Sequence, residues 1–326
     1  MPIGAVPQDD AAISVSRSKD RTWAIVLAGG EGTRLRPLVE RIHRDGRPKQ
    51  FAVLMGDRSL LQITLDRVAR LIPPERTVVV TTRAHAPYFA PELSEHRGAH
   101  MLVQPQDRGT AAGMLLPAHW IAWRDPGAAV AVFPSDHFVG DDAAFMGHVA
   151  SLGAVVDRHP ERIVLVGAAP DSPETGYGWI EPGMELERTA SGDIRTVHRF
   201  VEKPSSPEAR ACFRRGGLWN TFVMASRVST LVDAGRRALP ELHERLRRIR
   251  PFAGSRSEEQ AVDRAYLLAP TANFSQTILA TDSDRLAVSR LPPMGWSDWG
   301  TPERVIATLR REGIAPRWLQ ELATSA

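Results

Sequence analysis

Every residue from Trp23 to Leu27 is apolar, and the run stops at Ala28-Gly29-Gly30 before a polar stretch that carries Arg34 and Arg36. A short apolar run closed by glycines predicts a strand buried on both faces. The pattern then changes period: Leu61, Leu65, Val68 and Ile72 recur at helical spacing behind Ser59, a suitable N-cap. Further on, "TVVVTT", "MLVQP", "AAVAVFPSD" and "RIVLVGAA" have strand character. They alternate with helical "PYFAPELSEH", a helix from Thr110 to Arg124, and "DAAFMGHVASLGAVVDR". Strands alternating with helices predict βαβ units and a mostly parallel sheet covered on both faces.

Near Pro170 the pattern shifts. "ETGYGWIEPG", "DIRTVHRFVEKP" and "LWNTFVMAS" are strands separated by turns, expected to extend the same sheet and carry a substrate pocket. "LPELHERLRRIRPFAGSRSEEQAVDRAY" is charged and helical, its charges forming a solvated face. A last helix begins at Thr301, with Pro302 in its first turn. The expected organisation is a flexible tail over 1–21 and one domain over 22–326, with halves of about 22–169 and 170–326.

The 326 residues are 43% hydrophobic and 24% charged, an ordinary globular balance. The net charge of +3 suits phosphorylated small molecules and is too small to argue for nucleic acid. Cys212 is the only cysteine, which excludes an intrachain disulfide and points to a reducing, cytoplasmic setting. The first twenty residues lack a basic segment followed by an apolar one, so no signal peptide is expected. No apolar run is long enough for a membrane span.

Gly29, Gly30 and Gly32 let the chain approach a ligand closely and turn successive N–H groups toward an anion, with Arg34 and Arg36 just beyond. A Walker A loop would need Gly-Lys-Ser/Thr, but Arg34 stands where its second glycine belongs. A dinucleotide fingerprint would need a third small residue at Leu35 and an acidic residue near Lys49 and Gln50. A phosphate remains the natural occupant, beside the bland alternative of a tight turn without ligand.

"LAGGEGTRLRPL", "RPKQF", "FPSDHFV", "ETGYGWI", "FVEKP", "WNTFVM" and "WSDWGT", in that order, resemble the sugar-1-phosphate nucleotidyltransferases, most closely the guanylyltransferases acting on mannose 1-phosphate. The resemblance implies an α/β fold: a Rossmann-like, mixed, mostly parallel sheet flanked by helices, of the nucleotide-diphospho-sugar transferase, GT-A-like type. It implies GTP and mannose 1-phosphate giving GDP-mannose and pyrophosphate, with Mg²⁺ as cofactor. By matching motif, Ala28, Gly29, Gly30, Gly32, Thr33, Gln104, Gly109 and Thr110 would bind the nucleotide. Arg34 and Lys49 would grip the triphosphate, and Lys203 the sugar phosphate. Gly178, Glu202 and Asn220 would contact the sugar, and Asp136 and Asp298 the metal. No nucleic acid or membrane partner is implied, and a homodimer is left open.

The chemistry makes sense of these residue types. One anion must attack the α-phosphorus of another, so the protein must cancel charge and hold an in-line geometry. Mg²⁺ takes one or two carboxylates plus phosphates and waters, and Asp136 follows an apolar strand, where open α/β sheets bind ligands.

The sequence departs from the family at Arg36, usually Trp, in the longer "VERIHRDGR" segment, and at Trp299, usually Val. "VQPQDRGTAAG" stands for the usual "EPxxRNTAPA", so the reaction type is better specified than the base. A chain of 326 residues leaves no room for the extra isomerase or β-helix domain of some relatives, so a monofunctional transferase is expected. Trp219, Trp296 and Trp299 are read as packing residues. His96 and His100 have metal-like spacing without a third ligand, and Ser135 lacks a nucleophile elbow. The rivals are the same reaction on another NTP or hexose 1-phosphate, a GT-A glycosyltransferase, and a catalytically silent sugar-nucleotide sensor. "SDH" lacks the Asp-x-Asp expected of the glycosyltransferase. A sensor need not keep both charge clamps and both carboxylates.

Overall fold

The computed structural model describes residues 21–92 and 96–324; the expected tail over 1–21 lies outside them except for Arg21, which pairs with Asp125, and the end of the "PYFAPELSEH" helix lies partly outside them. Nine described strands form one mixed sheet flanked by helices, in the order β3-β2-β1-β4-β8-β5-β9-β7-β6. They are β1 Thr22–Leu27, β2 Thr77–Thr82, β3 His100–Gln104, β4 Ala129–Pro134, β5 Ile163–Ala168, β6 Gly178–Thr189, β7 Gly192–Glu202, β8 Leu218–Arg227 and β9 Leu286–Arg290. The four strands from β3 to β4 run parallel, and β8 enters antiparallel between β4 and β5. The second half therefore extends the first half's sheet.

Strand periodicity decides the two layers. In β1, Trp23 and Ile25 face one core, with the helices Gly109–Arg124, Val228–Ala238 and Glu258–Leu267. Ala24 and Val26 face the other, with Leu60–Ala69 and Asp142–Arg158. The Gly109–Arg124 helix is buried on nearly all sides, because Val228–Ala238 covers the face turned away from the sheet. Ser59 caps its helix in a capping box with Gln62, and Thr301 caps Pro302–Arg311. No described helix is long and apolar enough to cross a membrane.

The long charged segment differs from its expectation. It breaks into Pro240–Arg247, a 3-10 turn Arg250–Phe252 and Glu258–Leu267. Pro251 withholds an N–H and Gly254 takes φ +77°, so a continuous helix cannot pass. Val228–Ala238, Ser206–Arg214 and β9 were not evident in the pattern, being short or mixed in composition.

Chain order makes β1 a switch point: the chain passes from β1 to β2 on one side and later to β4 on the other. Leu27 and Pro134 are register partners, so the glycine loop and the loop carrying Asp136 leave the same sheet edge side by side.

Candidate active site

The glycine loop hangs from the end of β1. Ala28 N–H donates to the Val80 carbonyl at 2.7 Å. Gln50, buried, donates its amide N–H to the carbonyls of Ala28 (2.8 Å) and Gly30 (3.0 Å), bracing the loop from below. Gln50 was not foreseen as a site residue; its only sequence signal is its place beside Lys49. Gly32 has φ +58°, and a Cβ there would meet the Lys49 Cβ at 2.8 Å. A Cβ at Gly30 would meet nothing within 4 Å, so the fold leaves space open there. Thr33 and Arg34 are exposed beyond the loop, while Arg36 leans on Glu31 at 3.5 Å.

Lys49 is 4% exposed and lies between the two carboxylate loops. Its Nζ is 3.2 Å from Asp136 Oδ2 and donates to the Asp298 backbone carbonyl at 2.5 Å. An ammonium has three donors, so one remains for a further acceptor. The loops are tied by backbone: Phe138 and Ser297 exchange hydrogen bonds of 2.9 and 3.1 Å. Phe138 also stacks on Trp299, centroids 5.1 Å apart.

Asp298 is asymmetric. Its Oδ1 accepts from the Tyr177 hydroxyl (2.6 Å), Gly300 N–H (3.0 Å) and Arg304 Nη1 (3.1 Å). Among the described residues, its Oδ2 has only Arg34 Nη2, at 4.0 Å. A Cβ at Gly300 would lie 2.4 Å from that oxygen, so glycine keeps it open. Burial works against ionisation of Asp298, but the Tyr177 hydrogen bond and the charges of Lys49 and Arg304 outweigh it and hold its pKa below the usual value. Burial of Asp136 is likewise overcome, chiefly by Lys49. Burial and the neighbouring Asp298 push the Tyr177 pKa upward, which keeps its hydroxyl a donor. His137, packed on Trp296, has its pKa lowered mainly by burial.

Gln104, Gly109 and Thr110 lie on the other side of the loop and shape the scaffold. Gln104 is buried beneath Gly29 and accepts from the Tyr266 hydroxyl at 3.1 Å. Gly109, with φ +78°, packs against the Ala272 backbone. The Thr110 hydroxyl accepts from Phe274 N–H at 2.8 Å.

Gly178, Glu202 and Asn220 converge where β6, β7 and β8 meet. Gly178 pairs with Glu202 across the ladder, and a Cβ on it would lie 2.7 Å from Glu202 Oε2 and 3.3 Å from the Asn220 Cβ. Burial raises the Glu202 pKa, against the pull of Lys203 and Ser275. Lys203 is exposed, with its N–H on the Tyr177 carbonyl at 3.1 Å. Among the described residues four non-glycine residues have positive φ; three of them are Lys203, Phe222, two residues after Asn220, and Trp299, which follows Asp298. Each costs about 1–3 kcal/mol and survives only where its surroundings enforce it.

Trp219 and Trp296 pack against Tyr177, centroids 4.5 and 5.9 Å away, and form a wall. A cleft of about 1160 Å³ lies behind that wall, bounded also by Arg195, Arg290 and Met294; it does not contain Lys49, Asp136 or Asp298. His96 faces Asp66 (3.2 Å) and His100 stacks on Trp23, so the two imidazoles serve different contacts. The Ser135 hydroxyl donates to the Leu27 carbonyl at 2.6 Å.

The donor chemistry fits Mg²⁺. Asp136 and Asp298 offer oxygen only, both are held toward the ionised form, and Asp298 Oδ2 has no close donor among the described residues. Among the described residues no group of three or more His, Cys, Asp or Glu is placed to hold a metal. The protein would thus supply two carboxylates and leave the remaining positions to phosphates and water.

The nucleotidyl transferase family model matches residues 23–311. The xanthan biosynthesis protein XanB of Xanthomonas campestris pv. campestris (strain ATCC 33913) is 29% identical over 294 residues, covering 89% of this chain and 60% of that protein. Mannose-1-phosphate guanylyltransferase 2 of Escherichia coli O157:H7 is 31% identical over 229 residues, covering 68% of this chain and 46% of that protein. The chain therefore spans about three fifths or less of the length of these relatives. A crystal structure described as mannose-1-phosphate geranyltransferase from Thermus thermophilus superposes with a TM-score of 0.71 at 33% identity, covering 86% of this chain and 76% of that one.

Proposed function

The chain belongs to the nucleotidyl transferase family, and on that premise we propose that it transfers GMP from GTP to mannose 1-phosphate, giving GDP-mannose and pyrophosphate. One observation carries the reading: the buried Lys49 ammonium sits on the Asp136 carboxylate and on the backbone carbonyl of Asp298, beside an open glycine loop at the switch point of the sheet. Such a place neutralises and aligns phosphates.

In the reaction a phosphate oxygen of the sugar phosphate attacks the α-phosphorus. A new P–O bond forms, the α–β anhydride bond breaks, and pyrophosphate leaves with the electron pair. Asp136 and Asp298 would hold Mg²⁺, which when bound neutralises charge on the phosphates. The remaining Lys49 N–H and the exposed Arg34 guanidinium stabilise the leaving pyrophosphate. Lys203, fixed at positive φ next to Tyr177, orients the phosphate of the nucleophile. Gly178 lets Glu202 and Asn220 pack close together, since a Cβ there would meet both, and the pair can hold a sugar hydroxyl. Little covalent work falls to the protein, because positioning and charge dominate phosphoryl chemistry.

Mannose and guanine rest on what the relatives are named for. The altered segment does not argue for a base, since the side chains of Gln104 and Thr110 are engaged by Tyr266 and Phe274. The test is pyrophosphate release over four NTPs and several sugar 1-phosphates. GTP with mannose 1-phosphate is expected among the best pairs. Another dominant pair would overturn the substrate reading and keep the reaction class. Binding of GDP-mannose without release from any pair would favour a sensor.

A further inference from the structure

Arg304 breaks a local rule. It is the third residue of the Pro302–Arg311 helix, where the exposed N–H groups favour an acid and disfavour a cation. Its guanidinium is used elsewhere. It lies 4.4 Å over the Tyr177 ring, 2.9 Å from Glu174 and 3.1 Å from Asp298 Oδ1. Tyr177 itself donates to the same oxygen. Ring and guanidinium thus lock each other and converge on one carboxylate oxygen, while Gly300 keeps the other clear.

We propose that Arg304 is a positioning residue: held by Glu174 and Tyr177, it pins Asp298 Oδ1 so that Oδ2 alone is presented to the metal. This rests on the reading of Asp298 as a metal ligand. A planar fork is needed, because one guanidinium must serve Glu174, Asp298 and a ring face at once; an ammonium cannot. Residues that orient a metal ligand typically contribute 10–100-fold to affinity or activity.

The test measures Mn²⁺ binding by calorimetry and steady-state kinetics for Arg304→Met, Arg304→Lys and Asp298→Asn. Arg304→Met should lower kcat and Mn²⁺ affinity about 10–100-fold each, with KM for both substrates within about twofold. Arg304→Lys should recover only part of both. If Arg304→Met does not fold, Arg304→Lys and Glu174→Gln carry the comparison, each expected to weaken Mn²⁺ binding severalfold. Mn²⁺ affinity that stays within twofold or tightens in the Arg304 variants, while Asp298→Asn abolishes it, overturns the role of Arg304 and leaves the metal reading intact. Unchanged Mn²⁺ binding in Asp298→Asn overturns both.

Discussion

Phe138 and Ser297 form a two-bond antiparallel bridge that joins the loop after Asp136 to the loop before Asp298. This short piece of backbone links two loops whose carboxylates stand 162 residues apart in the chain.

Ser297→Pro removes the N–H that the Phe138 carbonyl accepts at 3.1 Å. The expected result is a loss of about 1–3 kcal/mol in stability and about 10²-fold in kcat, the usual cost of a misplacement near 1 Å. Ser297→Ala keeps the bridge, loses only the hydrogen bond that the Ser297 hydroxyl accepts from Trp299 N–H at 3.3 Å, and should fall less far in both. Urea denaturation and initial rates of the two variants make the comparison.

The glycines of the loop separate fold from ligand. Gly32→Ala forces a side chain to φ +58° and into Lys49, and should lower stability by about 1–2 kcal/mol. Gly30→Ala meets no neighbour and should leave the melting temperature unchanged while raising KM for the NTP about tenfold. A Gly30→Ala variant with parental KM would show that the open space is not where phosphates lie.

Lys49→Met leaves Asp136 without its 3.2 Å partner. Asp136 is about one-third exposed, so the stability cost lies between those of surface and buried pairs, about 2 kcal/mol. Turnover should fall about 10²–10³-fold, as when a transition-state donor is removed. Lys49→Arg, longer and forked, should not restore it. Rates and thermal unfolding of both variants check this.

His119 packs against His243, ring centroids 4.9 Å apart, and is 3% exposed. Burial, then His243, depress its pKa to about 4. The unfolded chain takes up this proton near pH 6.5 and the folded one only near 4, so stability is full above about 6.5 and declines between those values. The decline is about 3 kcal/mol from this one group. His119→Leu should flatten that part of the stability–pH curve measured by urea denaturation. A curve with parental slope would show that other groups govern it.

Local pattern alone determined much of this protein. The apolar runs marked β1 to β5, Ser59 and Thr301 marked helix starts, and the seven ordered motifs carried the family and most of the residues that converge here. Those features are local: strand periodicity, a cap and a glycine turn are written within a few residues. The tertiary structure decided what depends on long-range contact. Lys49 and Asp298 are 249 residues apart in the chain, yet hydrogen-bonded. Gln50 and Arg304 carry no local signature and acquire their contacts only when the loop, the Glu174–Tyr177 turn and the last helices pack together. Gln104 and Thr110 acquire Tyr266 and Phe274 as hydrogen-bond partners only through packing. Residue type fixes what a side chain can bond, and only the folded chain fixes which partner it meets.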